Sequence, residues 1–185
     1  MSARESIRSA AFPLFASQGV AATTVEQIAS AAGITAQQFL AEFHAPVDVL
    51  LENDHYPRLL EVFLAESPEL SPSGAWIVAL DEATRGMDAT AWQNETTRQQ
   101  LVTADPAAAP HAVPVALAAV EATRQAVATR TGLPVDSPKV ASFAGALIGS
   151  IAALPSGDFP DPASWIAAHA DNNETLGVAL DRLLR

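Results

Sequence analysis

Apolar residues recur at intervals of three and four along almost the whole chain, which is the spacing of one face of an α-helix. No stretch alternates between apolar and polar residues over the length of a β-strand. Prolines and glycines interrupt the helical pattern and divide it into about nine segments. The pattern therefore predicts an all-α fold with about nine helices.

Three capping boxes open the first three predicted helices. In each box a hydroxyl side chain and a Glu or Gln three residues later satisfy each other's backbone amides. The pairs are Ser2 with Glu5, Thr23 with Glu26, and Thr35 with Gln38. The three helices are expected to end near Gly19, Ala32 and Phe43. Because Gly33 leaves only a tight turn between the second helix and the third, these two form a helix-turn-helix.

The remaining helices are longer and are separated by proline-rich loops. A fourth helix is predicted to begin at Pro46 and to continue to residue 67 with a bend near Pro57. Further helices are expected over residues 73–85, 89–103, 114–131, 137–154 and 162–184. We therefore expect a helix-turn-helix headpiece over residues 1–45 and a larger helical body over residues 46–185.

The acidic composition limits the kind of partner. The 185 residues include 10 basic and 21 acidic side chains, for a formal charge of -11. Residues 1–45 contain two arginines, Arg4 and Arg8, against three glutamates. A surface of this charge repels polyanions unless its cations are concentrated locally.

Other functional classes have no support in the sequence. There is no cysteine, and no two histidines have the spacing of a zinc site, so we expect no metal and no cofactor. Neither a nucleophile elbow nor a phosphate-binding glycine loop is present, which argues against an enzyme. The apolar run that begins at Val140 stops at Leu154, too short to cross a bilayer. A cytoplasmic protein without membrane association is expected.

The N-terminal residues carry a family pattern, and on it the chain resembles the TetR family of bacterial transcriptional regulators. The matching positions are Ile7, Ala10, Ala11, Leu14, Phe15, Gly19, Thr23, Thr24, Val25, Ile28, Ala29, Ala32 and Gly33. The resemblance implies a DNA-binding headpiece, a body with a small-molecule pocket, and a homodimer formed through the last two long helices. It also implies a ligand-responsive transcriptional regulator, a repressor in the simplest case, that binds double-stranded operator DNA.

The candidate DNA contacts lie at the helix-turn-helix. A Gln can pair with adenine, a Thr or Ala can touch the methyl group of thymine, and helix N-termini donate amides to phosphates. The candidates are Arg4, Thr24, Thr35, Ala36, Gln37, Gln38 and His44.

The third helix departs from the family pattern. Members of the family usually end it with tyrosines and follow it with a lysine, whereas this chain has Leu40, Ala41 and Glu42, and then Pro46. Each replacement removes a phosphate contact. The alternative is therefore a protein of the same fold with weakened or lost DNA binding, acting as a small-molecule binder, a protein partner or a pocket enzyme.

The body carries candidate ligand and dimer residues. Its aromatic residues suggest an apolar effector, although each one is also a plausible core residue. The ligand candidates are Tyr56, Leu60, Phe63, Trp76, Leu80, Trp92, Gln93, Leu101 and His111. Small residues four apart form a stripe that allows close helix packing, and leucines line the last helix. The dimer candidates are Ala141, Gly145, Gly149, Ala153, Leu176, Leu180 and Leu183.

Overall fold

The computed structural model describes residues 2–53, 55–154 and 156–185. In these ranges every regular element is a helix, and the predicted all-α fold class is confirmed. The helices are α1 (Ala3–Gln18), α2 (Val25–Ala32), α3 (Ala36–Glu42), α4 (Pro46–Leu51), α5 (His55–Ala65), α6 (Pro72–Thr84), α7 (Ala89–Ala104), α8 (Ala109–Thr131), α9 (Pro138–Ala153) and α10 (Pro162–Leu183), with a turn of 3-10 helix at Ser156–Asp158.

The chain forms two compact units, of which the first contains residues 1–52 and 90–115. Its core is built from the buried faces of α1 to α4, and Ala108 also contributes to it. The core side chains are Ile7, Ala11, Phe12, Phe15, Val20, Ile28, Ala29, Phe39, Phe43, Val49, Leu50 and Ala108. The unit thus includes more of the chain than the predicted headpiece of residues 1–45.

The second unit contains residues 53–89 and 116–185. Within it α6 packs against both α5 and α10. Phe63 of α5 and Trp76 of α6 meet edge to face, with ring centroids 5.7 Å apart. On α10, Asp181 accepts hydrogen bonds from the backbone amide of Ser73 (3.0 Å) and from its hydroxyl (2.6 Å), which fixes the start of α6.

Two predicted capping boxes are confirmed and one was misplaced by a residue. Ser2 with Glu5 and Thr35 with Gln38 cap α1 and α3 as expected. The cap of α2, however, is formed by Thr24 with Gln27. Thr23 is buried and its hydroxyl donates to the carbonyl of Gly19 at 2.8 Å, so it closes α1 instead of opening α2.

The predicted fourth helix was wrong as one continuous element. The structure ends α4 at Leu51, gives Glu52 an extended backbone (ψ 133°), and starts α5 at His55. Pro57 has no amide proton and its ring clashes with the carbonyl four residues earlier in a helix interior. In the first turn of α5 Pro57 loses no helical hydrogen bond and meets no such clash. The helix is therefore interrupted before Pro57 and starts again at His55. Asp54 lies outside the described residues.

Helix α8 begins earlier than predicted, at Ala109 rather than Pro114. The carbonyl of Asp105 accepts the amides of Ala108 (3.0 Å) and Ala109 (3.1 Å) and starts the helix there. Pro114 removes only the bond to the carbonyl of Pro110, and both prolines are exposed, so water can satisfy that carbonyl. His111, expected in a loop, therefore lies on α8 and is exposed.

Helix α9 lies in a strongly apolar segment of the chain. In the described residues, Pro138–Asp158 is long and apolar enough by composition to cross a membrane, with a mean hydropathy of 1.5. The core helix of a water-soluble protein meets the same criterion. Helix α9 has 16 residues, and at about 1.5 Å per residue it spans about 24 Å, less than a hydrocarbon core of about 30 Å.

Candidate functional site

The helix-turn-helix of the first unit presents one face of α3 to solvent. Gly33 ends α2 in the left-handed region (φ 69°), which a residue with a side chain rarely adopts, and turns the chain into α3. Phe39 anchors α3 in the core. Gln37 and Leu40 lie on the outer side, and Leu40 is 52% exposed.

Three of the candidate DNA contacts are used in helix caps. The hydroxyls of Thr24 and Thr35 each accept a backbone amide, from Gln27 and Gln38 respectively, both at 3.2 Å. The side-chain oxygen of Gln38 accepts the amide of Thr35 at 2.9 Å. Gln38 would have to leave this cap to read a base, whereas Gln37 is an exposed side chain of α3 outside the capping box.

Arg4, another candidate, is paired with carboxylates of its own unit. Its Nε lies 2.9 Å from Oε2 of Glu42, and its Nη1 contacts Glu52. Nη2 donates to the carbonyl of Glu42 at 3.0 Å, and the guanidinium lies over the ring of Phe43, 4.9 Å from its centroid. The arginine therefore holds α1 against the end of α3.

The other arginine of the headpiece is also engaged. Nη2 of Arg8 donates to the carbonyl of Glu52 at 2.6 Å and lies 3.9 Å from the carboxylate of the same residue. Both cations of residues 1–45 thus face glutamates. Glu42 was already one of the departures from the family pattern in the sequence, which gave no signal for Glu52, because Glu52 comes close to α1 only through the fold.

The two remaining candidates at the headpiece are exposed or partly so. His44 is exposed, and its backbone amide donates to Oδ2 of Asp48 at 3.1 Å. Ala36 is partly buried at the start of α3.

The turn between α7 and α8 also lies against the headpiece core. Oδ2 of Asp105 accepts the amide of Val20 at 3.0 Å, and Oδ1 accepts the amide of Ala107 at 2.8 Å. These amide bonds lower the pKa of Asp105. Leu101, a ligand candidate, is partly buried against the same core. Sequence spacing gave no sign of this contact, which joins residues 85 positions apart.

The predicted ligand residues are divided between the two units. Tyr56, Leu60, Phe63, Trp76 and Leu80 belong to the second unit, and Trp92, Gln93, Leu101 and His111 belong to the first. The hydroxyl of Tyr56 donates to the carbonyl of Ala119 at 2.7 Å and contacts Thr123. Burial raises the pKa of Tyr56. Its polar atom is thus satisfied by α8.

A cavity lies in the second unit between α6, α9 and α10. Its volume, as the space open to the centre of a water molecule, is about 20 Å³, and the depression including its open mouth encloses about 290 Å³. Its walls include Trp76, Leu147, His169, Asn172, Asn173 and Leu176. Of the predicted ligand residues only Trp76 lines it.

Two buried side chains of this cavity have polar atoms without a hydrogen-bond partner. They are Nε1 of Trp76, whose side chain is 1% exposed, and Nε2 of His169, which is 2% exposed. Burial lowers the pKa of His169 to about 4. The ring of Trp165 meets that of His169 edge to face at 4.5 Å. Sequence reasoning missed His169, although its position four residues after Trp165 places the two rings on one helix face.

The stripe of small residues on α9 faces open space in the single chain. A Cβ atom added at Gly145 or Gly149 would meet no atom within 4 Å. Ala141 is partly buried and Ala153 is exposed. On α10, Leu176 and Leu183 are exposed, whereas Leu180 is partly buried.

Two family models match the chain. A model described as bacterial regulatory proteins, tetR family, matches residues 7–45. A second, described as the MftR C-terminal domain, matches residues 71–184. The comparison with curated proteins gave no match.

Two solved structures are similar to the chain, and the first of them shares its helical fold. A multidrug binding protein, EbrR, solved with imidazole, is 21% identical, with a TM-score of 0.53 over 92% of this chain and 94% of its own. A transcriptional regulator from Rhodococcus sp. Rha1 is 16% identical, with a TM-score of 0.47 over 99% and 94%. At 21% identity the first likeness supports the fold and not a shared ligand.

Proposed function

The chain belongs to the TetR family of bacterial regulatory proteins, and from this premise we propose that it is a ligand-responsive transcriptional regulator that binds operator DNA as a homodimer. The observation that carries the proposal is the exposed face of α3, where Gln37 and Leu40 lie opposite the buried Phe39. A short helix anchored by one aromatic residue and open on its other side suits the major groove.

The headpiece binds DNA mainly through neutral groups. Arg4 and Arg8 already pair with Glu42 and Glu52, so a phosphate contact would have to displace a carboxylate. A Gln that pairs with adenine contributes roughly 1 to 3 kcal/mol of discrimination without any charge. We therefore assign base reading to Gln37, with Thr24, Thr35, Ala36, Gln38 and His44 as its neighbours at the interface.

The homodimer forms through α9 and α10. The open stripe at Gly145 and Gly149 lets a second helix approach closely, and the exposed Leu176 and Leu183 add apolar area beside it. Dimerisation doubles every weak contact of the headpiece. The protein acts in the cytoplasm, where its operator is, and represses by occupying it.

A small molecule bound in the second unit controls the affinity of the protein for DNA. For this the ligand must bind the DNA-competent and the DNA-free arrangements with different affinity. In this proposal the DNA-binding part ends at residue 45, and α4, which follows it directly in the chain, transmits the change to it. The turn at Asp105, with its bond to Val20, offers a second connection to the headpiece.

A second candidate function is favoured by the same ion pairs. A headpiece whose two arginines are neutralised and whose α3 ends in Glu42 has lost the usual source of affinity for DNA. On this alternative the protein is a small-molecule binder or a partner of another protein, and the headpiece is kept because it folds.

The discriminating experiment is a fluorescence anisotropy titration with DNA from the region flanking the protein's own coding sequence and with random DNA of equal length. We expect preferential binding of the flanking DNA at low salt, and a loss of about tenfold in affinity for Gln37→Ala. Gln100→Ala, an exposed glutamine of α7, is the matched control. Equal binding of both DNAs would contradict operator recognition and favour the second candidate.

A further inference from the structure

The cavity between α6, α9 and α10 contains unused hydrogen-bonding capacity. Nε1 of Trp76 is a donor and Nε2 of His169 is a donor or an acceptor. Neither atom has a partner among the described residues, although both side chains are almost fully buried. A buried polar atom without a partner is costly, and native proteins rarely keep one without a ligand or a water. The two atoms belong to different helices that wall the same cavity.

The walls favour a neutral molecule over an ion. None of the described residues that line the cavity is charged. The remaining polar groups are the amides of Asn172 and Asn173 and the hydroxyl of Ser150, which already donates to the carbonyl of Leu147 at 2.7 Å. An ion would lose its hydration without gaining a counter-charge.

The protonation of His169 defines the complementary ligand. Burial keeps the imidazole unprotonated at neutral pH, since its pKa is lowered to about 4. When Nε2 carries no proton it accepts a hydrogen bond, while the indole of Trp76 can only donate one. In that tautomer, a ligand that satisfies both atoms offers one acceptor, to Trp76, and one donor, to His169.

We propose that this cavity is a binding site for a small neutral amide, or for the amide head of a larger molecule, whose carbonyl accepts from Trp76 and whose N–H donates to His169. The amide is the simplest neutral group with an acceptor and a donor on neighbouring atoms. The inner space of about 20 Å³ is close to that of one water molecule, so only the polar end of the ligand enters it and the rest lies in the open mouth. The ligand's role as an effector rests on the proposed function, whereas its binding does not.

The test uses the indole N–H signals in the ¹H–¹⁵N spectrum of the full-length protein. The chain has three tryptophans, Trp76, Trp92 and Trp165, and Trp→Phe variants assign their signals. Acetamide is the probe, and acetate is its charged isostere. We expect acetamide to shift the Trp76 signal saturably and to leave the Trp92 signal in place. Acetate should bind at least tenfold more weakly.

Variants separate the two hydrogen bonds from a general loss of fold. Trp76→Phe and His169→Phe should each weaken acetamide binding about tenfold, as followed by the remaining amide signals. Trp92→Phe, which removes an indole N–H of the other unit, should leave the affinity unchanged. Ala146→Leu fills the cavity from its wall and should abolish acetamide binding. This variant keeps Trp76 and His169, so it tests the site independently if Trp76→Phe fails to fold.

Three results would overturn the proposal. The first is a Trp76 signal that does not respond to acetamide, as expected for a cavity that holds only water. The second is equal binding of acetate and acetamide, and the third is an unchanged affinity for acetamide in His169→Phe. No DNA is present in this assay. Operator binding without acetamide binding refutes the cavity site alone, and acetamide binding without operator binding refutes the regulator alone.

Discussion

Arg4 of α1 and Glu42, the last residue of α3, form an ion pair in which Nε lies 2.9 Å from Oε2. Both side chains are more than a third exposed, at 41% and 35%, so the pair adds little to stability. Its main effect is to neutralise the positive charge of Arg4, because the carboxylate of Glu42 occupies the guanidinium that a DNA phosphate would otherwise contact. Glu52 reinforces this effect from the end of α4.

Removing the charge of Glu42 should strengthen DNA binding. In Glu42→Gln, Arg4 keeps only Glu52 as a charged partner, and the acid nearest the exposed face of α3 is gone. We expect a two- to tenfold gain in affinity at low salt, measured by anisotropy with operator DNA. Glu26→Gln, a change of equal charge on α2, should give a smaller gain. Equal gains would mean that net charge alone matters and that the pairing of Arg4 does not.

Arg130 should stabilise the second unit by closing the end of α5. Its guanidinium donates to the carbonyls of Phe63 (3.0 Å), Glu66 (2.9 Å), Ser67 (2.7 Å) and Leu70 (3.0 Å). Arg130→Ala leaves all four without this donor and should lower the free energy of unfolding by about 2 to 3 kcal/mol.

The planar fork of arginine explains why lysine is a poor substitute at this position. A lysine presents one ammonium and cannot span four carbonyls, so Arg130→Lys should still cost about 1 to 2 kcal/mol. Urea unfolding measures both variants. Arg58→Ala, at an exposed position of α5, should change stability by less than about 0.5 kcal/mol. A Lys variant as stable as the wild type would contradict this account.

Stability should fall in acid because of His169. Its folded pKa, about 4, lies below its ordinary value of 6.5, so between these values the unfolded chain binds a proton that the folded chain excludes. Above pH 6.5 the group has no effect. As the pH falls toward 4 the folded state loses up to about 3 kcal/mol relative to the unfolded state.

The variant His169→Phe isolates this effect, since the remaining acid dependence comes from the carboxylates. Its unfolding free energy should fall less between pH 7 and pH 4 than that of the wild type. His111→Gln, at an exposed histidine of α8, should follow the wild type. Parallel curves for the wild type and His169→Phe would show that His169 is accessible to protons in the folded state.

Blocking the stripe on α9 should dissociate the dimer without harm to the fold. A Cβ at Gly149 meets no atom of the described residues within 4 Å and the position is exposed, so we expect the single chain to tolerate Gly149→Leu. The change also removes a helical glycine, which costs about 1 kcal/mol relative to alanine. On the proposed dimer interface, sedimentation equilibrium should show a dimer for the wild type and a monomer for Gly149→Leu. Ala118→Leu, on an exposed position of α8, should remain dimeric. A dimeric Gly149→Leu would place the interface elsewhere.

Local sequence signals predicted the fold well where one mechanism dominated. Helical periodicity and the capping boxes at Ser2 and Thr35 gave α1 and α3. Competing local chemistry defeated the prediction elsewhere. Thr23 and Thr24 are both able to cap α2. In the structure Thr24 forms the cap, because the hydroxyl of Thr23 donates to the carbonyl of Gly19 instead.

The site was less predictable because its contacts are distant in sequence. Glu52 meets Arg4 and Arg8 after 44 or more residues, and Asp105 meets Val20 after 85. No periodicity encodes such pairs. The cavity shows the same limit, since Trp76 was named among the ligand candidates as an aromatic residue, whereas the unsatisfied atom of His169 is visible only once α6 and α10 are packed together.

The salt dependence of operator binding tests the central claim, that the headpiece recognises DNA with its arginines held by its own glutamates. Each phosphate neutralised by a cation contributes about 0.9 to the slope of log K against log salt. A dimer that uses neutral groups should show saturable, sequence-selective binding with a slope shallower than about 2. A slope of about 3.6 or steeper, as expected when the four arginines of a dimer all bind phosphates, would contradict it.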